Sequence, residues 1–266
     1  MGKRKRLPAI GAVVRQKAGR SGVPDEGYRA GIFNSYEHAI GGSYPKSISD
    51  LTPRKYHLLN LVRRYFPADK SASILEIGCG HGALIHFARE LGYSNMVGID
   101  ASRGQVDCAR TLGISGVNEG DAMKVLKKLG DESVDSVVAL DVLEHCTKEE
   151  AWILAAEIER VLAKGGKWII HTVNAESPFG MAVRYGDFSH ESAYTSGSIN
   201  QLCRANGFSK VVCEEDKIAV HGLVSAIRRI GWFTLRLFFR LLTAIENGDS
   251  GKSRIFTRNL LAVATK

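Results

Sequence analysis

The spacing of apolar residues along this 266-residue sequence changes character near residue 70. Within Thr52–Tyr65 the apolar side chains recur every three to four positions, which predicts a helix. Beyond Pro67, short apolar runs that end in glycine or aspartate alternate with segments of helical spacing. Such a change of period predicts that a sheet with intervening helices begins here.

Seven apolar runs have the length and composition of strands. They are Ser73–Ile77, Met96–Ile99, a weak run at Val117, Val134–Leu140, Trp168–Thr172, a run near Lys210–Glu214 and Asn259–Thr265. Strands that alternate with helices form parallel sheets covered on both faces. Because no helix follows the last run, we expect it to insert antiparallel. The predicted fold is α/β, with a Rossmann-like seven-stranded sheet of six parallel strands and one antiparallel strand.

The ends of the chain differ from its centre. Residues 1–50 show weak periodicity and predict a basic N-terminal arm, whereas residues 51–266 predict one domain with a helical insertion at about 222–247. Within the insertion, the helix Leu223–Ile245 has an apolar stripe and an arginine stripe; these contain Ile230, Phe233, Leu237 and Leu241, and Arg229, Arg236 and Arg240. This pattern fits an anionic membrane surface. A lid over the substrate or a homodimer contact fits it equally well.

Charge is divided unevenly along the chain. The net charge is +9 over residues 1–66, −8 over residues 67–216 and +7 over residues 217–266. An acidic centre makes nucleic acid an unexpected partner, while basic ends suit an anionic membrane or an acidic substrate. The five cysteines form no C-x-x-C pair, and no signal peptide or membrane-spanning run is expected. We therefore predict a cytoplasmic protein with peripheral contact at the inner face of the membrane.

A glycine-rich turn carries the main chemical signal. The segment Glu76–Gly82 joins a strand to a helix, Asp100 ends the next strand, and Gly120-Asp121 follows the third. Glycines there let a ligand approach the backbone, and an acid at the second strand end suits ribose hydroxyls. The spacing also fits a dinucleotide motif. However, the carboxylate of Glu76 opposes a pyrophosphate and suits an amino group, which favours S-adenosylmethionine.

As a set, these features resemble the class I S-adenosylmethionine-dependent methyltransferases, together with the segment Val134–His145, Lys164-Gly165-Gly166 and the terminal strand. The resemblance implies that the glycine loop packs against the methionine part of the cofactor. It implies that Asp100 binds the ribose and that Asp121 with Ala122 recognises the adenine. The expected cofactor-binding residues are Glu76, Gly78, Cys79, Gly80, Gly82, Asp100, Ala101, Asp121, Ala122, Asp141 and Val142.

The later part of the chain suggests the acceptor. Asp187–Glu191 with Tyr194-Thr195 resembles small-molecule O-methyltransferases that act on quinone precursors and sugars. The long helix and the tail Thr257–Lys266 resemble methyltransferases of surface-polysaccharide assembly. The expected reaction is methylation of a hydroxyl, first on a saccharide of a cell-surface glycan, alternatively on a polyprenylated quinone precursor. A nicotinamide-dependent oxidoreductase, a binding domain without catalysis and an RNA methyltransferase are the rival interpretations.

Histidines are the candidate bases, since their proton affinity suits proton removal near neutral pH. His145 follows the fourth strand and His190 lies in the loop after the fifth, so both are predicted to be catalytic; His171 is a weaker candidate. The predicted substrate-binding residues are Arg54, Arg184 and Tyr185. Asp141, Glu144 and His145 have the chemistry of a metal cluster, but no second ligand set accompanies them, so no metal is expected.

Overall fold

Seven strands form one sheet, in the order β3-β2-β1-β4-β5-β7-β6. The strands are β1 (Ile74–Ile77), β2 (Met96–Asp100), β3 (Val117–Glu119), β4 (Val134–Leu140), β5 (Leu162–Val173), β6 (Lys210–Glu215) and β7 (Asn259–Thr265). The computed structural model describes residues 31–32, 44–248 and 254–266. Most of the predicted arm at residues 1–50 therefore lies outside the described residues.

Helices connect successive strands and cover the sheet. They are α1 (Thr52–Tyr65), α2 (Ala83–Glu90), α3 (Arg103–Thr111), α4 (Ala122–Leu126), α5 (Lys148–Val161), α6 (Gly180–Arg184), α7 (Ser196–Ala205) and α8 (Leu223–Asn247). The short helix α6 lies in the segment after the fifth strand that the sequence predicts to be a loop, and the sequence analysis predicts no element at α4. Short 3-10 turns at Ile48–Leu51 and Leu143–His145 precede α1 and follow β4.

The closing strand β7 lies between β5 and β6 and runs antiparallel to both. Every other pair of neighbouring strands is parallel. The prediction of six parallel strands and one antiparallel strand is therefore confirmed. Such a sheet places the carboxyl ends of β1, β2, β3 and β4 along one edge, where ligands bind in open α/β folds.

Buried side chains form two clusters, one on each face of the sheet. On one face, Leu154 of α5 and Ile199 of α7 pack with Trp168 of β5, which is fully buried. On the other face, Leu58 of α1 and Ile85 of α2 pack against the sheet. Because both faces of the central strands are covered, those strands are apolar at nearly every position.

Strand β5 begins earlier than the sequence predicts. It starts at Leu162, not Trp168, and continues through the glycine pair that predicts a turn. Val134 pairs with Leu162 whereas Ser136 pairs with Lys167, so the extra residues form a bulge. Gly165 adopts a φ of 75° there. A glycine pair is compatible with a turn and with a bulge, and the pairing with β4 selects the bulge.

Helix α8 packs along one narrow face only. Trp232 and Phe239 contact Phe179 with ring centroids 6.5 and 6.1 Å apart, and Arg236 forms an ion pair with Glu215 at 3.0 Å. Of the predicted arginine stripe, Arg229 is exposed, whereas Arg236 faces the body of the protein. In the described part of the chain, no helix is both long and apolar enough to cross a bilayer.

The outward face of α8 is apolar instead. Its exposed apolar side chains are Leu223, Val224, Ile227, Ile230, Phe233, Leu235, Leu237, Phe238, Leu241, Leu242 and Ile245. Surface helices of globular proteins usually direct their apolar stripe toward the core. A long helix with the opposite orientation indicates that another surface covers it.

Asn174 joins the end of β5 to the segment that leads into β7. Its buried amide nitrogen donates to the carbonyl oxygens of Ile255 and Thr257, at 2.6 and 2.8 Å. We predict that Asn174→Ala lowers the free energy of unfolding by about 2–3 kcal/mol, because the substitution leaves these carbonyls without their donor. Urea unfolding measures the change. Gln201→Ala on the exposed side of α7 is the control, with an expected effect below about 0.5 kcal/mol; equal effects would contradict the prediction.

Candidate active site

A cavity of about 580 Å³ opens at the carboxyl ends of β1, β2, β3 and β4. The turn after each of these strands contributes to its wall, and α1 closes one side through Arg54 and Leu58. Of the residues predicted to bind the cofactor, those in the wall are Glu76, Gly78, Cys79, Gly80, Asp100, Ala101, Asp121, Ala122, Asp141 and Val142. The structure thus brings together side chains that are separated by up to about 66 positions in the sequence.

Two glycines of the first turn serve different purposes. Gly78 has a φ of 65°, and a Cβ there would lie 2.5 Å from Cγ2 of Val142, so a side chain would displace the turn after β4. Gly82, with a φ of 81°, is the N-cap of α2, and a Cβ there would meet Val117 at 2.6 Å. Gly82 is absent from the cavity wall; its role in the described structure is packing against β3.

Glu76 is the buried acid of β1 and borders the cavity. Its side chain is 3% exposed, and among the described residues its Oε2 atom has no hydrogen-bond partner. Burial raises the pKa of Glu76 well above its usual range; Arg54 opposes this effect and Asp100 adds to it. A buried carboxylate is costly unless it is paired with a cation. The site therefore favours a ligand that presents a cationic donor to Glu76.

Asp100 ends β2 and fixes the glycine turn. Its carboxylate accepts hydrogen bonds from the backbone N–H groups of Gly80 and Ser102, at 2.7 and 2.8 Å. Burial raises the pKa of Asp100 and these two bonds lower it. Carboxylate oxygens have further lone pairs, so Asp100 can still accept from ligand hydroxyls. Asp121 caps α4 by accepting from Met123 N and Lys124 N, at 2.8 and 3.2 Å.

Cys79 lies in the turn as a buried residue that is 7% exposed. Burial raises the pKa of its thiol well above the usual range, and the charges of Glu76 and Asp100 add to the effect. Since the thiolate is the nucleophilic form, Cys79 is not suited to attack a substrate. It packs beside Gly98, where a Cβ would lie 2.5 Å from its sulfur.

Asp141 follows β4 with a φ of 57°, a left-handed conformation that is uncommon outside glycine. Its Oδ1 lies 2.6 Å from Nδ1 of His171 on the neighbouring strand. Burial raises the pKa of Asp141, but the positive charge of His171 outweighs this effect and lowers the pKa to about 2. For His171, burial lowers the pKa, and the charges of Asp141 and Asp216 outweigh this and raise it to about 10.

His145 stands at the cavity wall in the 3-10 turn after β4. Its Nδ1 lies 3.0 Å from Oγ of Ser189, and that hydroxyl donates to Oδ1 of Asp187 at 2.6 Å. The Ser189 hydroxyl donates its proton to Asp187, so in the bond between Ser189 and His145 the donor is Nδ1 of His145. Nε2 is therefore the basic nitrogen of the ring. Burial lowers the pKa of His145, as does His190, so the ring is neutral near pH 7.

Three of the other predicted site residues, His190, Arg184 and Tyr185, lie apart from this wall. His190 packs edge-on against His145 at a centroid distance of 4.7 Å, and its Nδ1 donates to the carbonyl oxygen of Val183 at 2.9 Å. Arg184 donates to the carbonyl oxygen of Glu191 at 2.7 Å and holds the same loop. Tyr185 is 76% exposed. Of the predicted substrate residues, only Arg54 borders the 580 Å³ cavity.

Sequence reasoning missed several residues of the site. Gln105 lines the cavity and its Oε1 lies 3.1 Å from Nδ1 of His81, while Glu150 and Leu154 enter from α5. The cluster of His57, His171 and Asp216 was also missed as a group. His57 lies inside α1, His171 lies two residues before the end of β5 and Asp216 directly follows β6. Their large separation in sequence gives no spacing signal.

Residues 75–170 match the family model described as a methyltransferase domain. A ubiquinone biosynthesis O-methyltransferase of Xanthomonas oryzae pv. oryzae (strain PXO99A) is 31% identical over 144 residues, which are 51% of this chain and 59% of that protein. The mitochondrial ubiquinone biosynthesis O-methyltransferase of Dictyostelium discoideum is 27% identical over 38% of this chain and 35% of that protein. The chain thus matches less than two thirds of the length of these curated relatives.

Solved structures share the fold. A SAM-dependent methyltransferase from Archaeoglobus fulgidus has a TM-score of 0.60 at 20% identity, covering 87% of this chain and 98% of that one. A phosphoethanolamine N-methyltransferase 2 of Haemonchus contortus, solved with S-adenosyl-L-methionine, has a TM-score of 0.53 at 17% identity, covering 88% and 56%. The architecture is therefore that of S-adenosylmethionine-dependent methyltransferases.

The residues present fit S-adenosylmethionine. The buried Oε2 of Glu76, which has no partner among the residues that the structure describes, suits the cationic amino group, and the Asp100 carboxylate suits a ribose diol. Asp121 and Ala122 border the region after β3, where the adenine is expected. Asp100 and Asp121 in one wall oppose a pyrophosphate, and Glu76 offers it no cation, so a nicotinamide dinucleotide fits less well.

We predict that Asp100→Ala weakens S-adenosylhomocysteine binding by about 1.5–3 kcal/mol, the range for hydrogen bonds to a charged group. Titration calorimetry measures the affinity, and circular dichroism checks that the variant is folded, since Asp100 also holds the glycine turn. Asp107→Ala on the exposed side of α3 is the control and keeps wild-type affinity. Wild-type affinity in folded Asp100→Ala would remove this residue from the binding site.

Proposed function

We propose that this chain, whose fold is that of S-adenosylmethionine-dependent methyltransferases, transfers a methyl group to a hydroxyl of a small molecule. The observation that carries the proposal is the position of His145. Its basic nitrogen belongs to a ring in the wall of the cavity that fits the cofactor, and Ser189 and Asp187 orient that ring. Removal of a hydroxyl proton next to a cofactor site is the requirement of O-methylation.

Each part of the chain has a separate task in this reaction. Glu76, the turn Gly78–Gly80, Asp100 and Asp121 hold the cofactor, which when bound supplies an electrophilic methyl group on sulfur. The turns after β1 and β4 orient it, since Val142 packs directly on Gly78. With the cofactor bound, the cavity would hold the acceptor oxygen beside that methyl group, and the methyl would pass to oxygen with S-adenosylhomocysteine as the leaving group. Holding the two reactants together makes the step effectively unimolecular.

His145 acts as the general base in this proposal. Its lowered pKa keeps the imidazole neutral, and Nε2 takes the proton of the acceptor hydroxyl as the oxygen–carbon bond forms. The proton on Nδ1 stays in the hydrogen bond to Ser189, whose hydroxyl remains directed to Asp187. The Asp187 carboxylate stabilises the imidazolium through the intervening hydroxyl, as a negative charge behind a base does in other relays.

The acceptor best supported by the comparisons is a lipophilic one. The two curated relatives described above are named for ubiquinone biosynthesis, and the outward apolar face of α8 suits contact with a lipid phase. We therefore favour a polyprenylated phenolic hydroxyl, such as that of a quinone precursor. Methylation of a glycan saccharide, the first expectation from the sequence, has no support of this kind and stays a prediction.

Label transfer identifies the acceptor class. Purified protein is incubated with methyl-labelled S-adenosylmethionine and separated cell fractions, and lipid, glycan and RNA extracts are counted. The proposal predicts label in the lipid extract, in a form released by ether cleavage. Label confined to glycan would restore the saccharide hypothesis, and label confined to RNA or protein would contradict small-molecule methylation.

For the base, we predict that His145→Ala lowers turnover by about 10²–10⁴-fold and leaves S-adenosylhomocysteine affinity nearly unchanged. The wild-type rate is expected to fall as the pH drops through the pKa of His145, which lies below 6.5, because protonation of Nε2 removes the lone pair that takes the substrate proton. The variant loses this dependence. His190→Ala is the comparison and should raise the acceptor KM, since its loop packs behind His145. Wild-type turnover in His145→Ala would exclude it as the base.

We also propose that α8 binds an anionic membrane surface through its outward apolar face. Arg228 and Arg229 are exposed at the border of this face and complement anionic headgroups. Ile230, Leu237 and Leu241 are 68%, 48% and 58% exposed, so the lipid-facing area is mainly apolar. With Arg236 turned toward Glu215, electrostatic attraction assists binding that burial of apolar side chains drives.

Sedimentation with vesicles tests this surface. Wild-type protein should pellet more with anionic than with neutral vesicles, and salt should release part of it. The double variant Leu237→Glu/Leu241→Glu should stay in the supernatant. Trp152→Glu, at a residue 49% exposed on α5, is the matched control and should pellet like wild type. Two results would overturn the proposal. One is equal recovery of wild-type protein in the supernatant with both lipids, and the other is a wild-type protein that is dimeric while the double variant is monomeric.

A further inference from the structure

We infer that His57, His171 and Asp216 form a binding site for a transition-metal ion of the Zn²⁺ class. The three residues come from α1, from β5 and from the residue after β6. Their donor atoms all lie within 4.8 Å of one another. The site is separate from the wall of the 580 Å³ cavity, which contains none of the three, and it does not depend on the proposed methyl transfer.

The distances between the donor atoms are those of ligands around one ion. Nε2 of His171 lies 3.4 Å from Oδ2 of Asp216, and Nδ1 of His57 lies 3.4 Å from Oδ1 of Asp216. An ordinary N–H···O hydrogen bond is shorter, at about 2.7–3.2 Å. Two ligands at about 2.0–2.1 Å from a tetrahedral Zn²⁺ are separated by about 3.4 Å.

His171 has the environment of a metal ligand. It is 6% exposed, and its Nε2 atom lies 3.4 Å from Oδ2 of Asp216. The two neighbouring carboxylates hold the ring as a cation, so a metal ion that binds Nε2 displaces the proton there. The other ring nitrogen, Nδ1, is bonded to the carboxylate of Asp141 at 2.6 Å. Ligating histidines almost always make such a bond through the second nitrogen, because it fixes the ring and directs the lone pair to the metal.

The donor set selects the class of ion. Two imidazoles and one carboxylate suit Zn²⁺ and neighbouring transition metals, whereas Mg²⁺ and Ca²⁺ prefer oxygen ligands throughout. Three protein ligands leave a coordination position for water or another ligand. His57 and Asp216 also border a second cavity of about 450 Å³, lined in addition by Lys217, Arg228 and Arg258. A ligand in that cavity can therefore reach the ion.

Metal titration of the full chain tests the site. Protein freed of metal by a chelator is titrated with Zn²⁺ in a calorimeter and with Co²⁺ in a spectrophotometer. One equivalent should bind, and Co²⁺ should give the visible absorption of a complex with nitrogen and oxygen ligands. His57→Ala and Asp216→Asn should each weaken Zn²⁺ binding by at least about 10-fold. Removing only a hydrogen-bond partner of a metal ligand already has an effect of that size, and removing the ligand itself should have a larger one.

Two further measurements separate binding from unfolding. His86→Ala on α2 is the control histidine and should bind Zn²⁺ like wild type. Zn²⁺ should raise the unfolding temperature of the wild type and of His86→Ala but not of the two site variants, because a ligand stabilises only the state that binds it. Absence of stoichiometric binding, or wild-type affinity in folded His57→Ala and Asp216→Asn, would show that the cluster is an ion-pair network and overturn the inference.

Discussion

The left-handed backbone of Asp141 is the constraint on which the 580 Å³ cavity depends. A non-glycine residue in that conformation costs about 1–3 kcal/mol and persists only where its surroundings hold it. Here two bonds to the neighbouring strand hold it: the N–H of Asp141 donates to the carbonyl oxygen of His171 at 2.9 Å, and the side chains join at 2.6 Å. The turn after β4 therefore leaves the sheet at a fixed angle, with Val142 on the cofactor side and His171 on the other.

The same turn explains why the chemistry lies where it does. Val142 packs on Gly78, which keeps the turns after β1 and β4 in contact and narrows the cofactor cavity between them. His145 follows within one short 3-10 turn, so its ring reaches the cavity wall while Ser189 supports it from the loop after β5. Strain at one residue thus fixes both the packing of Val142 on Gly78 and the place of His145, the proposed base, and strained residues commonly lie at active sites.

The sheet was predictable because buried strands must be apolar, and burial is what the hydrophobic pattern records. The glycine turn and Asp100 were predictable because residues directly after parallel strands share one edge, whereas Asp121, Ala122, Asp141 and Val142 were implied by the family resemblance. The bulge at Gly165 was not predictable, since only the pairing with β4 distinguishes it from a turn. The orientation of α8 was not predictable either. Its apolar stripe and its arginine stripe could each face inward, and the contacts of Trp232 and Phe239 with Phe179 decide which part of the helix does. The grouping of His57 with Asp216 depends on contacts between distant segments.

The most direct test of the account is a pair of calorimetric titrations of the wild-type chain, one with S-adenosylhomocysteine and one with a nicotinamide dinucleotide. The buried carboxylate of Glu76 and the acidic wall formed with Asp100 and Asp121 predict one S-adenosylhomocysteine bound per chain, displaced competitively by S-adenosylmethionine. They predict no measurable heat with the dinucleotide. Stoichiometric binding of the dinucleotide, with none of S-adenosylhomocysteine, would contradict the account.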